Sequence, residues 1–443
     1  MKRTVLAACA LICAAASTAV PAQQKKPKMA MDIPAAITTP DSVDTRLGTL
    51  KFFDGLPDKN TVEKVYDNLD VQRGVQAFLN AMPGASLAAM RKGLREAGVT
   101  GNTIGIFETL LDPKSLFLTG NTETLYVTAW LDLKNGPVVV ESPPNSLGIM
   151  DDFWFRYVTD MGLRGLDQGQ GGKFLFLPPD YTGDVPIGYF VFRSRTYGNW
   201  LVSRGFLVNG DVKPTVENFK QHIRMYPFAQ AANPPEQQWV NLSGQAFNTI
   251  HANDVTFYEE VNTVVQEEPA DALDAETLGL LASIGIEKGK PFAPDTRMKK
   301  ILTDAAAVGN ATARALTFRS RDATQFYYPN SAWFNPFVGA SFSHEFLNGG
   351  ALDLDARTSW FYQATGITPA MVARVPGSGS QYAIAAVDSR GEYLFACCLP
   401  RRYTGASGAM FYLLSTTDGQ GKALDGAKTY RLHVPASVPV KDF

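Results

Sequence analysis

With 443 residues, 45% of them hydrophobic, the chain has material for two or three cores and can fold without covalent staples. Its 41 basic and 43 acidic residues give a formal net charge of −2, and its densest basic run is Lys25-Lys26-Pro27-Lys28. That balance argues against nucleic acid or an anionic membrane surface as a partner.

The N-terminus reads as a cleavable secretory signal over residues 1–22. Met1-Lys2-Arg3 supplies the charge, Thr4 to Ala19 the apolar stretch, and Val20-Pro21-Ala22 the small-residue cleavage site. The apolar stretch falls short of the roughly 20 residues of a membrane span, and no other segment approaches that length, so no transmembrane segment is expected in the mature chain. Leu6-Ala7-Ala8-Cys9 has the form of a lipoprotein signal, but it leaves an apolar stretch of only about five residues, so cleavage is expected after Ala22. The location that follows is periplasmic or secreted. Cys9 and Cys13 leave with the signal. The remaining Cys397 and Cys398 are neighbours, too few for a disulfide framework, and read as two buried thiols or, alternatively, as a strained vicinal disulfide.

Residues 23–40 are polar and proline-punctuated, a flexible leader expected to stay disordered. From Tyr66 to Gly98 apolar residues recur at helical spacing with a break at Pro83-Gly84, which predicts two short amphipathic helices within a helical lead-in over 41–120. After Thr122 the period becomes two, with Leu125, Val127, Ala129 and Leu131 on one face. Asn135-Gly136 predicts a hairpin turn into Val138–Glu141. Further strands are expected at 153–158, 173–177, 188–192 and 200–208, and a first β-sandwich over 121–212. A helical section over 213–320 carries helices near 257–265, 275–284 and 298–308. After Arg321 the composition returns to β. The predicted fold is therefore mainly β with a helical section (α+β): two β-sandwich domains, the second over 321–443.

No nucleophile elbow, phosphate loop, dinucleotide fingerprint, Cys-x-x-Cys or His-Glu-x-x-His motif occurs. Gly169-Gln170-Gly171-Gly172 reads as a turn. His251 and Asp254 at i, i+3 on a helix, near Glu259 and Glu260, could draw a metal; a helix cap at Asn253 or Asp254 explains the same residues without one. The segment Asp151–Asp160 is more informative. As a strand it would place Asp152, Trp154, Arg156 and Asp160 on one face, an indole flanked by a carboxylate and a guanidinium, suited to a sugar or another polar ring. An Asp–Arg pair on a sandwich surface, with Trp154 covering a second core, is the plainer account. Along an extended strand Asp152 and Asp160 would lie about 26 Å apart, too far for a glycosidase pair at roughly 10 Å unless a bend folds the chain back.

Several stretches resemble the family of domain of unknown function 1254: Asn121-Thr122 through Leu133, Asp151-Asp152-Phe153-Trp154-Phe155-Arg156 through Gly165, Gly171-Gly172-Lys173, and Pro178-Pro179 with Tyr181. Gly285 to Phe292 is similar to that family's usual continuation. Leu354 to Thr358, Ala364 to Met371 and Gly379 to Tyr382 resemble the run into domain of unknown function 1214. The resemblance implies two sandwiches, the second a jelly roll, and brings no catalytic residues with it. In that family the match to 387–394 runs almost directly into the match to 424–430. The intervening 395–423 therefore reads as an insertion, and the stop at Phe443 as a truncation that leaves an exposed strand edge near Tyr430–His433.

Three functional readings follow. The first is an envelope protein that binds, or also processes, a polar small molecule or glycan through Asp152, Trp154 and Arg156. The second is a hydrolase or lyase using Asp355 and Arg357, two apart on one strand face, with Glu345 upstream. The third is a structural homo-oligomer, which a jelly roll permits. No cofactor is named by the sequence.

Overall fold

The computed structural model describes residues 31–117, 120–163, 165–319, 321, 332–334 and 414–433. It is a mixed α/β structure with several sheets and five α-helices among the described residues. The chain divides into two compact units, residues 1–66 and 67–443.

In the first unit, residues 31–40 are exposed and make one short turn at Ala35–Ile37. Strands β1 (Ser42–Thr45), β2 (Gly48–Phe53) and β3 (Leu56–Pro57) then form an antiparallel sheet where a helical lead-in was expected. The turn chemistry explains it. Asp54 and Gly55 both adopt positive φ, 48° and 81°, as the tightest hairpin turns require, and an Asp-Gly pair supplies this at little cost.

Helix α1 (Lys59–Glu96), which begins within the first unit's residues and continues in the second, runs unbroken through Pro83, where two helices were expected. Proline removes one helical hydrogen bond, but both sides of the break are buried: Ala81, Met82, Ala85 and Leu87 belong to one core. Gly84 has a packing reason, since a Cβ there would lie 2.4 Å from Cζ3 of Trp154. We expect Gly84→Ala to cost about 1–3 kcal/mol in chemical denaturation, the usual effect of overpacking; an unchanged midpoint would mean that the indole moves aside freely.

The strands are β4 (Ile104–Ile106), β5 (Ser115–Leu116), β6 (Thr124–Asp132), β7 (Val138–Ser142), β8 (Ser146–Asp152), β9 (Tyr157–Gly162), β10 (Gly172–Leu177), β11 (Phe190–Arg193) and β12 (Gly198–Phe206). After α2 (Lys213–His222) come β13 (Arg224–Pro227), β14 (Trp239–Asn241) and β15 (Phe247–Asn248). Helices α3 (Phe257–Glu267), α4 (Ala275–Ala282) and α5 (Thr296–Phe318) follow. A six-stranded sheet runs β14-β4-β6-β12-β8-β9 and a four-stranded sheet runs β11-β10-β7-β13, while β5 pairs with β15. Asn135-Gly136 does turn the chain, with Gly136 at φ 119°, but the turn joins the two sheets and no hairpin forms: β6 pairs with β4 and β12, and β7 with β10 and β13.

The six-stranded sheet is buried on both faces. Leu125, Val127, Ala129 and Leu131 of β6 enter a core shared with Val138, Val140, Phe174 and Phe176 of the four-stranded sheet. The alternate residues Tyr126 and Trp130, with Trp200 of β12, face a second core built by α1, α3, α4 and α5. Phe78 of α1 lies at the heart of that core, stacked on Phe257 at 4.0 Å between ring centres.

Candidate functional site

The segment read as a strand over 153–158 is a turn. Residues 153–156 lie between β8 and β9, with Phe155 at φ 58°, the left-handed region a side chain enters only when its surroundings enforce it. Asp152 enforces it. Its Oδ1 accepts the main-chain N–H of Trp154 at 2.8 Å and of Arg156 at 3.0 Å, and its Oδ2 lies 2.7 Å from both Nε and Nη2 of Arg156. The second guanidinium arm donates to the Ala272 carbonyl at 2.7 Å, tying the turn to the helical section.

The expected common face of Asp152, Trp154 and Arg156 therefore does not form. Trp154 is buried against Gly84 in the helical core, and Asp152 and Arg156 close on each other. The turn also folds the chain back, setting Asp160 opposite Ile149, so the extended-strand distance between Asp152 and Asp160 does not apply. The alternation reading failed because a strand pattern cannot show a carboxylate capping its own turn.

Beside this turn lies a mixed acid–base cluster that the sequence reading missed. It sits where β6 ends, β8 ends and β12 begins, since Gly198 pairs with Asp132 and Asn199 with Asp152. Arg91 of α1 rests over two rings, its guanidinium carbon 4.5 Å from the centre of Phe153 and 5.3 Å from that of Trp130. The same guanidinium grips Glu267 with both arms, at 2.5 and 2.8 Å, and Lys134 reaches that carboxylate at 3.2 Å. Burial pushes the Glu267 carboxyl up, but Arg91 and Lys134 outweigh it and hold the group below the usual carboxylate range. The Arg91 side chain is 6% exposed, Glu267 29% and Lys134 39%, so the cluster runs from the core to solvent.

Glu268, next in sequence, is sealed in. Its two oxygens accept the main-chain N–H groups of Tyr197 and Gly198, at 2.5 and 3.0 Å, and burial raises it to about 7. Two acids closing a helix oppose its dipole, and Lys288 compensates: its ammonium donates to the carbonyls of Gln266 and Glu268 at 2.9 and 2.6 Å. The Gly285–Phe292 stretch is thus a cap on the C-terminal end of α3, with Gly289 at φ 80° donating its N–H to Gln266 Oε1.

The sequence did carry a signal for Arg91. It occupies the apolar stripe of α1 with Leu87 and Leu94, at i, i+4 and i+7, where a charge must find a partner.

His251 and Asp254 share no helix. His251 is buried among Phe78 and Phe257 with Nδ1 2.7 Å from the Ala252 carbonyl oxygen, while Asp254 is exposed and accepts the Thr256 N–H in the turn leading into α3. Among the described residues no three His, Cys, Asp or Glu side chains gather as a metal site. Glu345, Asp355, Arg357, Cys397 and Cys398 lie outside the described residues, as do the signal segment 1–22 and most of the second expected sandwich. Tyr430 to His433 are exposed and form no strand. No helix among the described residues is long and apolar enough to cross a membrane.

No curated protein matches the chain. Of solved structures, the VPA0106 protein of Vibrio parahaemolyticus matches with 20% identity and a TM-score of 0.43, over 58% of this chain and 62% of that one. An uncharacterized protein from Burkholderia cenocepacia matches with 10% identity and a TM-score of 0.22, over 58% and 61%. The chain thus spans about three fifths of the length of the structures it matches. Residues 101–227, from β4 through β13, match the family described as protein of unknown function DUF1254, so the N-terminal part of the resemblance read from the sequence holds.

Proposed function

We propose that this is an exported envelope protein that binds a polar small molecule or glycan at the Arg91–Glu267–Lys134 cluster. Its two facing sheets are read as a β-sandwich on the strength of their shared core, and the residues after 321 as a jelly roll of the 1214 type.

The observation that carries the binding reading is the graded exposure of a pre-assembled set of charged donors and acceptors on aromatic rings. Binding is favoured over catalysis by the state of the two carboxyls. Glu267 is held ionised by two cations and is an acceptor only; Glu268 keeps a proton to about 7 but spends both oxygens on main-chain donors away from solvent. Lys134→Ala, a substitution at a half-exposed side chain, should preserve the fold and weaken the ligand returned by a metabolite and glycan screen about tenfold, the loss of about 1.4 kcal/mol. Titration calorimetry giving the same affinity for both proteins would remove the cluster from consideration.

A further inference from the structure

We propose that Asn209 is a modification site, converted spontaneously to isoaspartate and aspartate in the folded chain well ahead of Asn135. The sequence holds three Asn-Gly pairs, at 135–136, 209–210 and 348–349, and the last lies outside the described residues. A glycine after asparagine favours the reaction in both of the others, because a residue with no Cβ leaves its main-chain nitrogen open to close approach. Asn135 and Asn209 are both exposed, so exposure does not separate them. What separates them is how the fold treats the glycine nitrogen.

At Asn135 that nitrogen is engaged. The Gly136 N–H donates to the Leu133 carbonyl at 3.1 Å, and the turn is anchored by β6 and β7, each paired on both sides. At Asn209 the nitrogen is open: among the described residues neither the Gly210 N–H nor the Asn209 amide makes a hydrogen bond. Asn209 and Gly210 adopt φ 54° and 79°, the two central positions of a tight turn between β12 and α2. That turn is closed by the Val208–Asp211 pair, at 2.9 and 3.0 Å, which stands outside any named strand. An isolated exposed pair opens at low free energy, and opening lets the Asn209 side chain rotate into reach of the nitrogen.

In the reaction the Gly210 nitrogen attacks Cγ of Asn209. The new N–C bond forms as the Cγ–Nδ2 bond breaks, and Nδ2 leaves as ammonia with the proton that the Gly210 nitrogen gives up. Water then opens the cyclic imide: attack at the main-chain carbonyl carbon leaves isoaspartate, and attack at Cγ leaves aspartate. Nothing is oxidised or reduced, and water is the one co-reactant. Isoaspartate adds a carbon to the main chain, which a two-residue turn closed by Val208 and Asp211 does not accommodate without losing those bonds.

The test is peptide mapping by mass spectrometry of the full chain aged in mildly alkaline buffer, both folded and in concentrated urea. In the folded chain Asn209 should react about tenfold faster than Asn135, the effect of keeping one ordinary hydrogen bond at Gly136. In urea the two should react at similar rates, since the fold then protects neither. Electron-transfer fragmentation distinguishes isoaspartate from aspartate at 209, and Asn209→Ser should abolish both products there while leaving the Asn135 rate unchanged. Equal rates in the folded chain, or Asn135 reacting first, would overturn the proposal. So would a difference that persists in urea, which would trace it to flanking sequence, or an Asn209 that reacts in urea and stays intact in the folded chain.

Discussion

Replacing Asp152 by alanine should destabilise the second unit by about 3–5 kcal/mol, the usual result of removing one partner from a buried ion pair. The Asp152 side chain is 2% exposed and that of Arg156 15%, so the guanidinium would be left charged where water reaches it poorly. Two further donors, the N–H groups of Trp154 and Arg156, would lose their acceptor, and Phe155 would lose what holds it at positive φ. The double variant Asp152→Ala, Arg156→Met should recover part of the loss, because it removes the orphaned charge. Urea denaturation of the three proteins checks this: a single variant within 1 kcal/mol of wild type would show that the pair does not hold the turn.

The stability contributed by Glu268 should fall as the pH rises. Its carboxyl is raised from 4.5 to about 7, first by burial and further by the nearby Asp152 charge, against the lowering effect of two main-chain hydrogen bonds and Lys134. Below pH 4.5 both folded and unfolded chains hold the proton. Between 4.5 and about 7 the folded chain keeps a proton that the unfolded chain has lost, so stability declines with pH across that window and is flat above it. A rise of this size is worth about 3 kcal/mol. Glu260, raised to about 7 chiefly by burial, titrates over the same window, so the isolating measurement is the difference between wild type and Glu268→Gln. Relative to wild type, the glutamine variant should gain stability between pH 4.5 and 7; parallel melting curves would show that Glu268 does not carry the proton.

What the sequence determined was whatever short-range periodicity and local chemistry decide. The alternation of Leu125, Val127, Ala129 and Leu131 predicted β6 and the face it buries, and the helical spacing predicted α3, α4 and α5 near their observed positions. The motif similarity over 121–181 lies inside the segment that the DUF1254 family model matches.

Only the tertiary structure decided the rest, for reasons that lie in partners distant in sequence. Pro83 sits within a helix because buried residues on both sides hold it there. The Asn135-Gly136 turn passes between sheets because Val138 and Val140 belong in the core facing β6, which no two-residue turn signal encodes. Asp152 and Arg156 looked like a ligand face because their alternation in sequence is the same whether the chain runs straight or turns, and only the capped turn shows that the carboxylate is used internally. The Arg91–Glu267 pair spans 176 residues, so no local pattern could reveal it. It exists because the end of α3 is folded against α1, where a buried guanidinium and a carboxylate at the end of a helix each remove the other's desolvation cost.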